Sequence, residues 1–143
     1  MRDYKQQQIG DLVLFQGCSR REIELISRTA DAVDLLPGAV LAVEGTPVHE
    51  FAVVVSGTCA ARYTHGDVLL GPGAYYGERG LLDGERHEAT IVALSHVRLL
   101  VFDARSFAGL IGRNPHVATK LMRGLVEQLR EADQSLRSLR AVS

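Results

Sequence analysis

The fold this sequence predicts is mainly β with flanking helices: an antiparallel β-roll with an N-terminal helix and a long C-terminal helix. Three observations predict it. Short Val-, Leu- and Ile-rich segments follow one another from 31 to 103, separated by Gly and Pro; a helix-start signature precedes them; and a heptad-spaced apolar pattern follows them.

The helix-start signature is Ser19-Arg20-Arg21-Glu22, a capping box ahead of Ile23, Leu25, Ile26 and Ala30. It predicts a helix over about 20 to 30, with Phe15 packed beneath it. Residues 1 to 11 read as an N-terminal tail and 12 to 143 as one domain, with the β-roll at about 31 to 103 and C-terminal helices at about 104 to 140. The strand-length segments are AVDLL, AVLAV, FAVVVSG, CAARY, VLLG, ATIVAL and VRLLVF. Turn signals at Pro37-Gly38, Glu44-Gly45, Ser56-Gly57, His65-Gly66 and Gly71-Pro72-Gly73 recur at the interval of a sandwich or barrel. The stretch from 77 to 90, GERGLLDGERHEAT, breaks this rhythm and reads as a helical turn plus a loop.

Beyond Phe102, residues 104 to 111 predict a short helix, and Asn114-Pro115 starts a long one reaching about Leu139. That helix carries two apolar stripes. Ala118, Met122, Leu125, Leu129, Ala132, Leu136 and Leu139 alternate four and three apart, the spacing of a coiled-coil seam. Val117, Leu121 and Val126 remain to pack on the β region. The first stripe then serves a second copy, with Met122, Leu125, Leu129, Ala132, Leu136 and Leu139 forming a homodimer interface; the competing assignment buries both stripes within one chain.

Composition excludes several classes of function. With 143 residues and 46% of them hydrophobic, the chain has the material for one core without disulfides or metal. Its 16 Lys and Arg against 17 Asp and Glu supply no general attraction to nucleic acid or anionic membrane. Cys18 and Cys59 form no CxxC pair, so no zinc cluster is expected and a reducing, cytoplasmic setting fits. No signal peptide and no membrane-spanning run are expected. His49, His65, His87, His96 and His116 contain no HxH or HxxxH pair, which speaks against a metalloenzyme built on a similar roll. GPGAYYG lacks both the GxGxxG spacing and a surrounding βαβ pattern, so it is a weak dinucleotide motif. No nucleophile elbow surrounds Ser56 or Ser106, and no catalytic residue is expected.

One constellation carries chemistry. A tight turn opening a helix, as at Gly77-Glu78-Arg79-Gly80, presents unpaired N–H groups to an anion, and a nearby Arg adds a bidentate clamp. Glu78 would repel a lone phosphate but suits a ribose 2′-hydroxyl, so phosphate plus ribose points to a nucleotide. The competing reading is a Gly-rich loop with a solvated glutamate.

Taken together, Leu14-Phe15, Ser19, Glu22-Ile23, Gly38, Leu41, Glu44-Gly45, Phe51-Ala52-Val53-Val54-Val55-Ser56-Gly57 and Tyr76-Gly77-Glu78 resemble the cyclic nucleotide-binding domains of catabolite activators and protein kinase A regulatory subunits. The resemblance covers about 12 to 140 and implies a jelly roll. It implies that residues 77 to 90 are a phosphate-binding cassette for cAMP or cGMP. Gly77, Gly80, Leu81 and Leu82 would offer backbone N–H groups, Arg79 would stand beside them, and Glu78 would bind the ribose; Leu81 would also make the switch contact. The family pattern of Arg, two small residues and Thr or Ser places its Arg at His87, with Glu88 and Ala89 at the small positions and Thr90 last. Two departures follow. Arg86 stands one residue early, on the opposite face of an extended segment unless the loop rearranges, and His87 is mostly neutral near pH 7. Glu88 brings negative charge to the phosphate, which Arg79 offsets. Catabolite activators read adenine with a Thr-Ser pair on the long helix, and the matching positions are Ala132 and Asp133. Relatives that bind DNA carry a helix-turn-helix after that helix, so no direct DNA binding is expected. The implied function is a nucleotide-binding sensor; the alternative is a degenerate member kept as a dimerisation or protein-interaction scaffold.

Overall fold

Alternation along two strands organises the molecule. In the computed structural model, which describes residues 3–142, β3 (Glu50–Ser56) and β8 (Val97–Asp103) lie side by side at the centre of one sheet. Phe51 and Val53 on β3, with Leu100 and Phe102 on β8, face the helices. Ala52 and Val54, with Val97 and Leu99, face the opposite sheet. Successive side chains of a strand point to opposite faces, so two cores share these strands and both strands read as continuous apolar runs.

The first sheet runs β1 (Asp31–Leu35), β8, β3 and β6 (Tyr75–Tyr76). The second runs β2 (Val40–Ala42), β7 (Thr90–Ala93), β4 (Cys59–Tyr63) and β5 (Gly66–Leu70). Every pairing is antiparallel. Between the sheets lie mostly small residues, among them Ala42, Ala52, Cys59, Ala61, Ala89 and Ala93. Aromatic rings fill the core on the helix side: the Phe51 ring stands 4.9 Å from Phe107, 5.7 Å from Tyr75 and 5.8 Å from Phe102. The expected strands are all present. β6 is the addition, two residues long and therefore too short to show any period.

The helices form where their caps sit. The capping box closes in both directions, with Glu22 N–H donating to Ser19 Oγ at 3.1 Å and Ser19 N–H to the Glu22 carboxylate at 2.8 Å, and it opens α2 (Arg20–Thr29). Phe15 is buried in the same core as Ile23 and Ile26, as expected. The assignment of 1 to 11 as a tail is corrected for 3 to 11; residues 1 and 2 lie outside the described residues. Tyr4–Asp11 forms α1, capped by Asp3, and Ile9 is fully buried. The Lys5 ammonium donates to the Ser27 and Ala30 carbonyls at the end of α2, which pins the first helix down. A single buried apolar side chain in a largely polar octapeptide gives no periodicity to read.

At the other end α4 (Ala104–Arg113) is capped by Asp103, and α5 (Pro115–Val142) follows at once. Val117 and Leu121 are buried in the core, as expected. Val126, expected to join them, is exposed instead, because it lies about 180° round the helix from Val117 and about 140° from Leu121. Met122, Leu129, Leu136 and Leu139 are exposed as well. No described helix is long and apolar enough to cross a membrane.

Candidate functional site

The chain leaves β6, turns sharply and starts α3 (Glu78–Asp83). Gly77 makes that turn at φ 96°, the left-handed region open to glycine. A Cβ there would collide with the Glu50 carbonyl, so β3 and the turn approach closely only because the residue is Gly. After α3 the chain returns along the 44–47 loop. Gly45 N–H donates to the His87 carbonyl and His87 N–H to the Thr46 carbonyl, each at 2.9 Å, and Pro47 bridges Arg86. Thr90 Oγ1 accepts from Glu44 N–H at 3.1 Å, fixing where β7 begins. Cassette and roll thus enclose a cavity of about 370 Å3.

Eight of the expected residues line this cavity: Gly77, Glu78, Arg79, Gly80, Arg86, His87, Glu88 and Ala89. Three others do not. Leu81 packs against the helix-side core, Leu82 is exposed on the outer side of α3, and Asp133 is exposed further along α5. α5 instead turns Gln128 and Glu131 toward the cavity. These two are three residues apart on one face, whereas Asp133 lies about 200° round the helix from Glu131. The reading from sequence also missed Tyr63, Tyr75, Val48, Val68, Leu70 and Ile91 on the apolar wall. For the β4 and β5 residues the signal was available, since strand alternation puts Ala61 and Tyr63 on one face.

Charge is unevenly placed. Glu78 is only 5% exposed, and one carboxylate oxygen, Oε2, has no hydrogen-bond partner among the described residues. Burial pushes its carboxyl above the usual glutamate range, and a hydrogen bond from its own backbone N–H and the nearby Arg79 pull it only partly back. Arg79 Nη2 meets Glu88 Oε1 at 3.0 Å, joining α3 to the segment entering β7. Arg86 Nη1 donates to the Gly45 carbonyl at 3.0 Å. The His87 ring lies 6.5 Å from Tyr76, and burial, with His49 nearby, lowers its tendency to protonate. The carboxylates on the wall are Glu78, Asp83, Glu85, Glu88 and Glu131; the guanidinium groups are Arg79 and Arg86. Among the described residues no group of three or more His, Cys, Asp or Glu is placed to hold a metal ion.

The site is thus a buried glutamate beside a glycine turn, with one oxygen unpartnered among the described residues, on the wall of a cavity formed with the β-roll. The family model described as "Cyclic nucleotide-binding domain" matches residues 32–114. The chain belongs to the cyclic nucleotide-binding domain family. Within it, the chain is 33% identical over 129 residues to a cyclic AMP receptor protein of Thermus thermophilus, covering 86% of this chain and 60% of that one. It is also 33% identical over 112 residues to a cyclic nucleotide-gated potassium channel of Mesorhizobium japonicum, covering 78% of this chain and 31% of the channel. The chain therefore spans about a third to three fifths of the length of these relatives. Among solved structures, the Thermus thermophilus catabolite activator protein superposes with a TM-score of 0.78 at 32% identity, covering 88% of this chain and 62% of that chain. The regulatory subunit of a cAMP-independent protein kinase A from Trypanosoma brucei shares the fold, with a TM-score of 0.78 at 20% identity, covering 90% of this chain and 47% of that one. As a member of this family, the chain has the expected two-sheet roll with the cassette helix between β6 and β7.

Proposed function

We propose that this chain is a non-catalytic regulatory domain that binds a cyclic nucleotide, cAMP or cGMP, between α3 and the β-roll and passes the signal on through α5. One observation carries the reading: the buried Glu78, on the cavity wall, keeps a carboxylate oxygen without a partner among the described residues. Leaving a buried acceptor unpaired is costly, and a ribose 2′-hydroxyl is a donor of the right kind. The cavity volume falls in the range of small-molecule sites. Relatives named as a cAMP receptor and a cyclic nucleotide-gated channel support the same ligand class.

Transmission is supported by what bridges the cavity to α5. Tyr75 sits on the wall, its hydroxyl lies against Gly124 where a side chain would clash, and Gln128 and Glu131 follow on the helix. A ligand that rearranges the cassette thereby acts on the helix that carries the exposed Met122, Leu129 and Leu136 stripe. That stripe pairs two copies of the chain. Balanced charge supports no direct DNA contact, and two free cysteines support a reducing, cytoplasmic setting.

Titration calorimetry with cAMP and cGMP tests the reading. Glu78→Ala is expected to weaken binding at least about tenfold, because the buried hydroxyl loses its acceptor. Unchanged affinity removes this site. A second reading, a degenerate scaffold without nucleotide, is favoured by His87 and Glu88 at the positions of the family's Arg and small residue. It predicts no heat with either nucleotide and self-association that persists.

A further inference from the structure

A cyclic phosphate entering this cavity meets a wall on which Glu78, Asp83, Glu85 and Glu131 all carry carboxyl groups. Some cation must offset them. The position at which the family places its Arg holds His87, whose ring is part-buried beside Tyr76 and whose backbone is tied on both sides to the 45–46 turn. Arg86 is anchored at the rim, with Nη1 on the Gly45 carbonyl and its backbone bridged to Pro47. Arg79 is different. It rises from the first turn of α3, beside Glu78, and its guanidinium is held by Glu88 across the cavity mouth at 3.0 Å. Both side chains of that pair are about half exposed, at 50% and 53%.

We propose that Arg79 is the phosphate-binding cation of this cavity and that Glu88 is an internal anion that occupies it until the ligand arrives. This rests on the cyclic nucleotide reading given above and adds how the site is regulated. Ligand entry becomes an exchange of anions: the phosphate replaces the Glu88 carboxylate on Arg79, and Glu88 turns out to solvent. Half-exposed ion pairs are weak, so the exchange is cheap, whereas a guanidinium–phosphate contact inside the cavity is strong and bidentate. The two departures from the family pattern then explain each other. The cation has moved from 87 to 79, and the acid at 88 shields it in the empty state. Affinity for an anionic ligand is set by this pair, while affinity for the sugar is set by Glu78.

Cyclic AMP and adenosine separate these contributions, because adenosine offers the ribose and base without phosphate. Calorimetry of the full chain is carried out with both ligands on the wild type, R79Q, E88Q, the R79Q/E88Q double variant and R86Q. The expected result is that R79Q lowers the ratio of cAMP to adenosine affinity at least about tenfold. E88Q raises that ratio roughly two- to fivefold, and the gain vanishes in the double variant. A ratio that survives R79Q, a ratio lost in R86Q but not in R79Q, or an E88Q protein that binds cAMP more weakly overturns the assignment of Arg79 while leaving the cavity reading intact. Absence of binding of either ligand by the wild type overturns the nucleotide reading itself, and the exchange with it. Adenosine binding by each variant doubles as the check that the cavity has folded.

Discussion

Glu78 is where the demands of folding and of function diverge. Its carboxyl titrates above the usual glutamate range because burial disfavours the charge, while in the unfolded chain it titrates normally. The folded state therefore holds its proton more tightly, which contributes stability at pH below the ordinary glutamate value of about 4.3 and loses that contribution as pH rises through the raised value. Glu78→Gln removes this loss. Urea unfolding from about pH 4 to pH 8 is expected to show the variant gaining stability relative to wild type as pH rises; a constant difference would mean that burial does not raise the carboxyl above its ordinary range. His87 shifts the other way, downward through burial and through His49. It is thus neutral above its ordinary value of about 6.5, and cAMP affinity is expected to stay flat from about pH 8 to pH 6.5 and to rise only at lower pH. A rise beginning near neutrality would instead make His87 the phosphate's cation. At this scale the site was partly legible. Gly77, Glu78 and the cassette boundaries could be read because glycine turns and a lone acid between glycines leave a local trace. The Arg79–Glu88 contact could not, since it depends on where the loop returns, and Asp133 failed on helix phase.

At the scale of elements, Gly77 and α5 decide how the site is built. Gly77→Ala places a Cβ against the Glu50 carbonyl in a left-handed conformation, so it is expected to cost at least about 2 kcal/mol of stability and to abolish ligand binding. Thermal unfolding and calorimetry check both; a stable, binding variant would show that the turn relaxes. α5 carries an inner face, Val117 and Leu121, against the core, and an outer stripe on which Met122, Leu129, Leu136 and Leu139 are exposed. Leu129→Glu with Leu136→Glu is expected to convert a dimer to a monomer in sedimentation velocity without lowering the unfolding midpoint by more than a few degrees, since both side chains are exposed in one copy. A wild type that sediments as a monomer contradicts pairing through this helix. The strands were legible because short apolar runs and Gly–Pro punctuation are local, and the Ser19 capping box and Asn114-Pro115 marked the starts of α2 and α5. α1 and β6 were hidden because each depends on tertiary neighbours: Ile9 on the core beneath α2, and Tyr75 with Tyr76 on the edge of β3.

At the scale of the molecule, two cores share β3 and β8, and the cavity opens where the small-residue core meets α3 and the loop that follows it. A phenylalanine at the junction, Phe51, ties the helix-side core to Tyr75, which lines the cavity, and any ligand that binds this cavity in the folded state alone couples binding to global stability. That coupling makes unfolding the most direct readout of the central claim, that this cavity takes a cyclic nucleotide. Thermal unfolding is measured with cAMP, cGMP and linear AMP. Ligand at a hundred times its dissociation constant adds about 2.7 kcal/mol, which is roughly 5 to 10 °C for a domain of this size. The account predicts that shift with a cyclic nucleotide and a smaller one with AMP. An unmoved midpoint at millimolar cAMP and cGMP would contradict it.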